Sequence, residues 1–272
     1  MTEMERFAAE HAPCYIYDKR TITKACRELR AAMPGVGFLY SIKSNPFAPV
    51  IRTAAGEGCG ADAASSAEVL AALDAGIRPE DVFYSSPGKT DRDIAVAAGK
   101  CVVTADSLHE LDRLNAHAAG TGRTLAVGLR VNPAFGMGGG AAGPSKFGVD
   151  EEQLPALFAR VRDMQHVTVR GIHVHLRSQV LNAAALSGYY ANCFALAERT
   201  AAEFGVRMDF INFGGGMGTV YDTVRDSPLD LAALSRTMAD IGQRNRQGLG
   251  ARLYMETGRY LTCRAGLFCT RA

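Results

Sequence analysis

Eight short apolar runs alternate with helix-periodic stretches over about 220 residues of this chain. The runs are Phe38–Lys43, Cys59–Ala63, Val82–Ser86, Cys101–Ala105, Leu125–Val131, Gly171–Leu176, Phe210–Phe213 and Arg252–Glu256. The helical stretches are Thr21–Met33, Ala48–Gly56, Ser66–Ala75, Thr90–Ala98, Ser107–Ala119, Glu151–Met164, Ala183–Phe204 and Asp230–Arg246. A strand buried on both faces reads as a continuous apolar run, and a helix packed on its sheet reads at a 3.6-residue period. Alternation of the two predicts parallel strands joined by crossover helices. Eight such units over this length predict a closed (β/α)8 TIM barrel. An open doubly wound sheet is the rival; it usually needs fewer strands and carries a strong phosphate loop early in the chain.

At 272 residues and 29.0 kDa the chain is long enough for one large domain with a substantial core. A net charge of +2 gives no basis for binding nucleic acid or an acidic membrane. No apolar stretch is long enough to span a bilayer, and the charged start, Met1 to Arg6, lacks the apolar centre of a signal peptide. The seven cysteines are scattered without a CxxC pair. Their odd number fits a reducing cytoplasm better than a disulfide framework or a zinc site, so a cytoplasmic location is expected.

In a barrel of this type the chemistry sits at the C-terminal ends of the strands. Those ends carry Lys43, Asp62, Ser86, Asp106, Arg130 with Asn132, His175 with Ser178, Gly214-Gly215-Gly216, and Glu256 with Arg259. Lys43 is either a solvated strand-end charge or a partly desolvated amine able to lose its proton and form a Schiff base. The glycine triplet is either a plain turn or a place where backbone N–H groups approach an anion. It is not a GxxxxGK[ST] loop, which argues against a nucleoside triphosphate. Alternation turns His173 and His175 to the same side. They are satisfied core histidines, a metal pair, or a ring stacked on a planar cofactor; a metal needs a third ligand, and the sequence names none clearly. Glu256 and Arg259 are either an ion-pair turn or a carboxylate for a ring nitrogen beside a phosphate-binding fork. The segment Ala134–Pro144 holds many glycines and reads as a flexible lid after the fifth strand rather than a phosphate cradle.

Taken together these stretches resemble one family, the fold-type III pyridoxal-phosphate decarboxylases, which contains the diaminopimelate, ornithine and arginine decarboxylases and has an alanine-racemase-like barrel. The matching segments are Tyr40–Pro46, Gly60–Glu68, Ser86–Thr90, Ser145–Gly148, His173–Gln179, Phe213–Gly216 and Glu256–Arg259, in the family's order. The resemblance implies pyridoxal 5'-phosphate as cofactor, joined to Lys43 as a Schiff base. His175 would stack on its ring and Glu256 would pair with the ring nitrogen. Ser178, Gly214, Gly215, Gly216 and Arg259 would hold the phosphate, while Asp62 and Arg130 would line the site behind Lys43. It implies no metal. The reaction implied is decarboxylation of an amino acid, most simply a diamino acid such as diaminopimelate or a related biosynthetic intermediate. The alternatives are a racemase on the same fold or a non-catalytic remnant.

Two departures stand out. Arg177 occupies a position where the family usually has glycine, and Thr257 one where it usually has proline. The family also continues into a β-rich second domain, which contributes catalytic groups partly across a homodimer. The domain organisation expected here is residues 1–20 as a strand segment packing toward that domain, 21–262 as the cofactor barrel, and 263–272 as the start of a truncated second domain. Its fragments, Cys14–Tyr17 and Gly266–Thr270, are expected to be left without partner strands, so that the chain by itself self-associates and turns over poorly.

Overall fold

Along the strand Arg252–Thr257, Tyr254 and Glu256 point one way and Met255 the other. Tyr254 packs in a small cluster with Leu39, Phe83 and Phe210, whereas Met255 belongs to the main apolar core. The small cluster is the inside of a closed barrel, and the main core is the layer between the barrel and its helices.

Residues 2–271 are described by a computed structural model. The strands are β1 (Cys14–Tyr17), β2 (Val36–Ser41), β3 (Gly60–Ala63), β4 (Val82–Tyr84), β5 (Val102–Ala105), β6 (Leu125–Asn132), β7 (Val149–Asp150), β8 (Val167–His173), β9 (Phe210–Asn212), β10 (Arg252–Thr257) and β11 (Gly266–Cys269). The helices are α1 (Glu3–His11), α2 (Lys19–Ala32), α3 (Ala48–Gly56), α4 (Ser66–Asp74), α5 (Asp91–Ala97), α6 (Leu108–Gly120), α7 (Leu154–Val161), α8 (Ala183–Phe204), α9 (Leu231–Gln247) and α10 (Arg259–Thr262). Strands β2-β3-β4-β5-β6-β8-β9-β10 pair in parallel, and β10 pairs back onto β2, closing the eight-stranded (β/α)8 barrel that the alternation predicts.

The barrel's lower interior is plugged by aromatic rings. Phe83 meets Phe210 edge-on at 5.0 Å between centroids and Tyr254 at 4.8 Å. Each ring contributes about 1.5–3 kcal/mol by burial, with a further ~0.5–1.5 kcal/mol from each aromatic pair. Phe210 has room because two neighbouring strands carry glycine. A Cβ on Gly128 would lie 2.9 Å from its ring and one on Gly171 would lie 2.7 Å from it. One layer up, toward the strand ends, the inward side chains are polar and buried: Ser41, Asp62, Thr104, Arg130, His173, Asn212 and Glu256. The helices start on side-chain caps at Ser65, Thr90, Ser107, Asn182 and Asp230, each accepting a backbone N–H of the first turn.

Several boundaries differ from the sequence reading. Strand β2 ends at Ser41, and Lys43 lies in the 3-10 turn Ile42–Ser44 that follows. The stretch expected to be helical from Glu151 begins as a 3-10 turn and becomes α7 only at Leu154. The glycine-rich segment is a small hairpin: Phe135 bridges Ala141, and Gly138, Gly139 and Gly140 make the turn at positive φ. Residues 3–11, read as part of a strand segment, form α1. The fragments Cys14–Tyr17 and Gly266–Cys269 are not unpaired; they form an antiparallel ribbon with each other, Tyr15 opposite Phe268.

Candidate active site

The C-terminal mouth of the barrel is built from four strand ends on one side and two loops on the other. The short turn after β2 brings Lys43 back over β3. Its Nζ lies 2.8 Å from Oδ2 of Asp62, and about half of the Lys43 side chain (54%) is exposed because the mouth is open. Asp62 is fully buried, and its other oxygen accepts the Ser85 hydroxyl at 2.8 Å. Of the two readings open for Lys43, its surroundings favour the protonated amine. Burial pulls its pKa down, but the Asp62 and Glu256 charges outweigh that and raise it above its ordinary value.

On the other side of β2 from Asp62, β8, β9 and β10 converge on Glu256. Arg130, His173 and Asn212 are successive register partners across β6, β8 and β9. The Asn212 amide donates to Glu256 Oε1 at 3.0 Å. His173 Nε2 stands 3.0 Å from the same oxygen and His175 Nδ1 stands 3.4 Å from Oε2. Burial alone would push the Glu256 carboxyl up. The two imidazoles outweigh burial and hold it well below the usual carboxylate range. His173, fully buried, is pushed down by that burial against the pull of the Glu256 charge. The result is a buried carboxylate anion facing the mouth. Such a charge calls for a cationic partner.

The loop after β9 carries the glycine triplet. Gly214 has φ +66°, and a Cβ there would collide with the Val174 carbonyl, so only glycine fits. The triplet's amides are not all turned outward as expected. Gly214 N–H donates to Asn212 Oδ1 and Gly215 N–H to His175 Nδ1, both at 2.9 Å. Only the Gly216 amide has no protein acceptor among the described residues. The neighbouring loop, Leu176–Val180, is clamped to this turn. Val180 N–H donates to Gly216 O at 2.8 Å, and Gly218 N–H donates to Val180 O at 3.0 Å. Gln179 sits at φ +63° and its side chain makes two hydrogen bonds with the Thr219 backbone.

Of the residues singled out by sequence, Lys43, Asp62, His175, Gly214, Gly215, Gly216 and Glu256 gather at this mouth. Ser178 and Arg259 are exposed at its rim, with the Arg259 guanidinium 6.0 Å from the centre of the Tyr221 ring. Arg130 is turned toward the β5 end, 3.7 Å from Asp106 and stacked over Phe147. Ser85, rather than Ser86, reaches Asp62. Counting alternation from the inward Phe83 identifies it, because Phe83 and Ser85 share a face. Asn212 was missed for want of a motif, although the same counting from Phe210 places it inward. The third donor lacking beside His173 and His175 is Glu256, supplied from a strand about eighty residues later. Two grooves of about 820 and 860 Å³ lie outside the barrel along α2, and none of these site residues lines them.

The donor set fits pyridoxal phosphate. It offers a primary amine, a buried anion for a protonated ring nitrogen, an imidazole beside it, and a glycine turn with an open amide. Fold and site thus define a barrel with an amine and a buried carboxylate brought to one mouth by adjacent strands. Residues 19–263 match the family model of the pyridoxal-dependent decarboxylases, pyridoxal binding domain, and the chain belongs to that family. Its cofactor is pyridoxal 5'-phosphate. The chain is 32% identical to L-glutamyl-[BtrI acyl-carrier protein] decarboxylase of Niallia circulans, over 95% of this chain and 62% of that protein. It is 29% identical to diaminopimelate decarboxylase of Aquifex aeolicus, again over 95% and 62%. Diaminopimelate decarboxylase from Helicobacter pylori, solved with L-lysine, superposes with a TM-score of 0.85 at 23% identity, covering 97% of this chain and 68% of that one. The chain thus spans about 62% of the length of these curated relatives.

Proposed function

We propose that this chain is the cofactor-binding barrel of an amino-acid decarboxylase whose substrate is a diamino acid, diaminopimelate or a related biosynthetic intermediate, and which works as a homodimer. The single observation that carries this is the presence at one mouth, from the adjacent strands β2 and β10, of the Lys43 amine, held by Asp62, and the ionised Glu256. When bound, the cofactor supplies an electron sink for the pair of electrons left behind as the α-carboxylate departs. The protein's part is to hold and polarise. Lys43 would hold the cofactor covalently through its amine. Glu256 would keep the ring nitrogen protonated, with Asn212 fixing the carboxylate's rotamer. His175 would cover the ring, its orientation set by the Gly215 N–H. The Gly216 amide, Ser178 and Arg259 would receive the phosphate. Asp62, steadied by Ser85, holds the Lys43 amine in place and would take up its proton when that amine joins the cofactor.

The carrier-linked relative raises a second reading, in which the substrate is an amino acid joined to an acyl-carrier protein. The exposed Arg177 favours it, a cation at the rim where the family usually has none. Carbon dioxide release from free diaminopimelate, lysine, ornithine and arginine and from a glutamyl-carrier conjugate, measured on the complete protein, separates the two. Release from a free diamino acid supports the first reading. Release from the conjugate alone replaces it with the second. Loss of optical rotation without carbon dioxide would show a racemase and overturn both.

A further inference from the structure

The mouth contains a buried imidazole, His173, whose one role in the proposed chemistry is to hold Glu256 ionised. His173 is 1% exposed; its Nε2 stands 3.0 Å from Glu256 Oε1, outside good hydrogen-bond geometry, and its Nδ1 has no partner among the described residues. A polar ring left bare in a protein interior calls for an explanation. Its surroundings suggest one. A donor nitrogen from His173, one from His175 and a carboxylate oxygen of Glu256 all lie within 4.8 Å of one another. Donors bound to a tetrahedral zinc at about 2.0–2.1 Å stand about 3.3–3.4 Å apart. Glu256 presents one oxygen to each imidazole, Oε1 to His173 Nε2 at 3.0 Å and Oε2 to His175 Nδ1 at 3.4 Å, near that spacing.

We propose that in the chain without its cofactor His173, His175 and Glu256 form a two-imidazole, one-carboxylate site for a divalent transition-metal ion of the zinc class, and that metal and cofactor exclude one another there. Imidazole nitrogen with one carboxylate suits zinc, cobalt and nickel, whereas calcium and magnesium want more oxygen donors. The donors stand on β8 and β10, the two strands that flank β9, or just past the end of β8, so the site is rigid. The buried carboxylate supplies the anion that a cation must compensate. His175, with 24% of its side chain exposed, gives the ion a way in from the mouth. Coordination through His175 Nδ1 displaces the Gly215 N–H that now donates to it, so the ion also loosens the glycine turn. The exclusion rests on the cofactor placement proposed above; the metal site does not.

The test is a Co2+ titration of the cofactor-stripped chain, read by its visible absorption, with Zn2+ as competitor and the pyridoxal-loaded chain alongside. One Co2+ per chain is expected, with the spectrum of a nitrogen–oxygen site and no thiolate charge-transfer band. Zn2+ should displace it, and the loaded chain should bind none at concentrations that saturate the stripped chain. His173→Gln should lose more affinity for Co2+ than the 10–100-fold that loss of an outer partner costs. Paramagnetic broadening of the His173 and His175 ring resonances by Co2+ gives the same answer in the unsubstituted chain, should the variant not fold. A thiolate band, sharp imidazole resonances in the presence of bound Co2+, or metal and cofactor bound together would overturn the proposal. A chain that takes up no pyridoxal phosphate overturns the functional reading and the exclusion, and the Co2+ spectrum still decides the metal site.

Discussion

At the scale of single residues the mouth is governed by paired charges. Asp62 keeps Lys43 protonated against the pull of desolvation, so removing its charge reverses the balance. Asp62→Asn is expected to lower the Lys43 pKa, and the pH midpoint for acylation of that amine, followed by peptide mass spectrometry, should move down. An unchanged midpoint would place the raising influence on Glu256 alone. Gln179 tests a different kind of constraint. Holding a non-glycine residue at positive φ costs on the order of 1–3 kcal/mol, and its two hydrogen bonds to Thr219 offset that. Gln179→Ala keeps the strain and loses the clamp. The Thr219 amide, which donates to Gln179 Oε1 at 3.1 Å, should exchange its hydrogen faster in the variant, by a factor of about ten or more if the bond is worth ~1.5 kcal/mol. Lys43, His175 and Glu256 were legible in the sequence because each ends an apolar run with a residue whose chemistry is unusual there. The contacts between them were not legible. Asn212 and Ser85 look ordinary in sequence and matter only through the carboxylates that the barrel brings to them.

At the scale of elements, legibility followed the core. Helix α8 was read at Ala183–Phe204 because eight of its residues are buried and leave a clear periodic stripe. Helix α1 was missed because none of its residues is buried, and a helix without a core-facing stripe shows only its caps. Caps carry measurable weight here. Asp93 closes the capping box of α5 and also accepts the Ser66 hydroxyl, which pushes its carboxyl down to about 2 from an ordinary 3.8. A depressed folded-state pKa gives stability that is fully present above about pH 4 and is lost as the pH falls toward 2. The stability difference between the chain and its Asp93→Asn variant, from urea unfolding at stepped pH, should therefore shrink across that window. A difference that stays constant from pH 5 to 2 would mean that the cap acts through geometry and not through charge.

At the scale of the whole molecule the barrel was legible from its alternation, and the way the chain's two ends meet was not. Pairing between β1 and β11 joins residues more than two hundred and fifty positions apart, and no local pattern announces such a partner. The ribbon satisfies backbone groups that were expected to be bare, yet it leaves Tyr15, Leu267 and Phe268 largely exposed. Three neighbouring apolar side chains on a two-stranded ribbon are an association hazard. Phe268→Ser is expected to reduce self-association in light scattering while leaving cofactor uptake unaltered; equal association in both would locate the contact elsewhere. The central claim concerns the mouth of the barrel, where one amine holds the cofactor. Borohydride reduction of the pyridoxal-loaded chain followed by peptide mapping tests it most directly. The account predicts a single pyridoxyl adduct on Lys43, and an adduct found instead on Lys89 or Lys146 would contradict it.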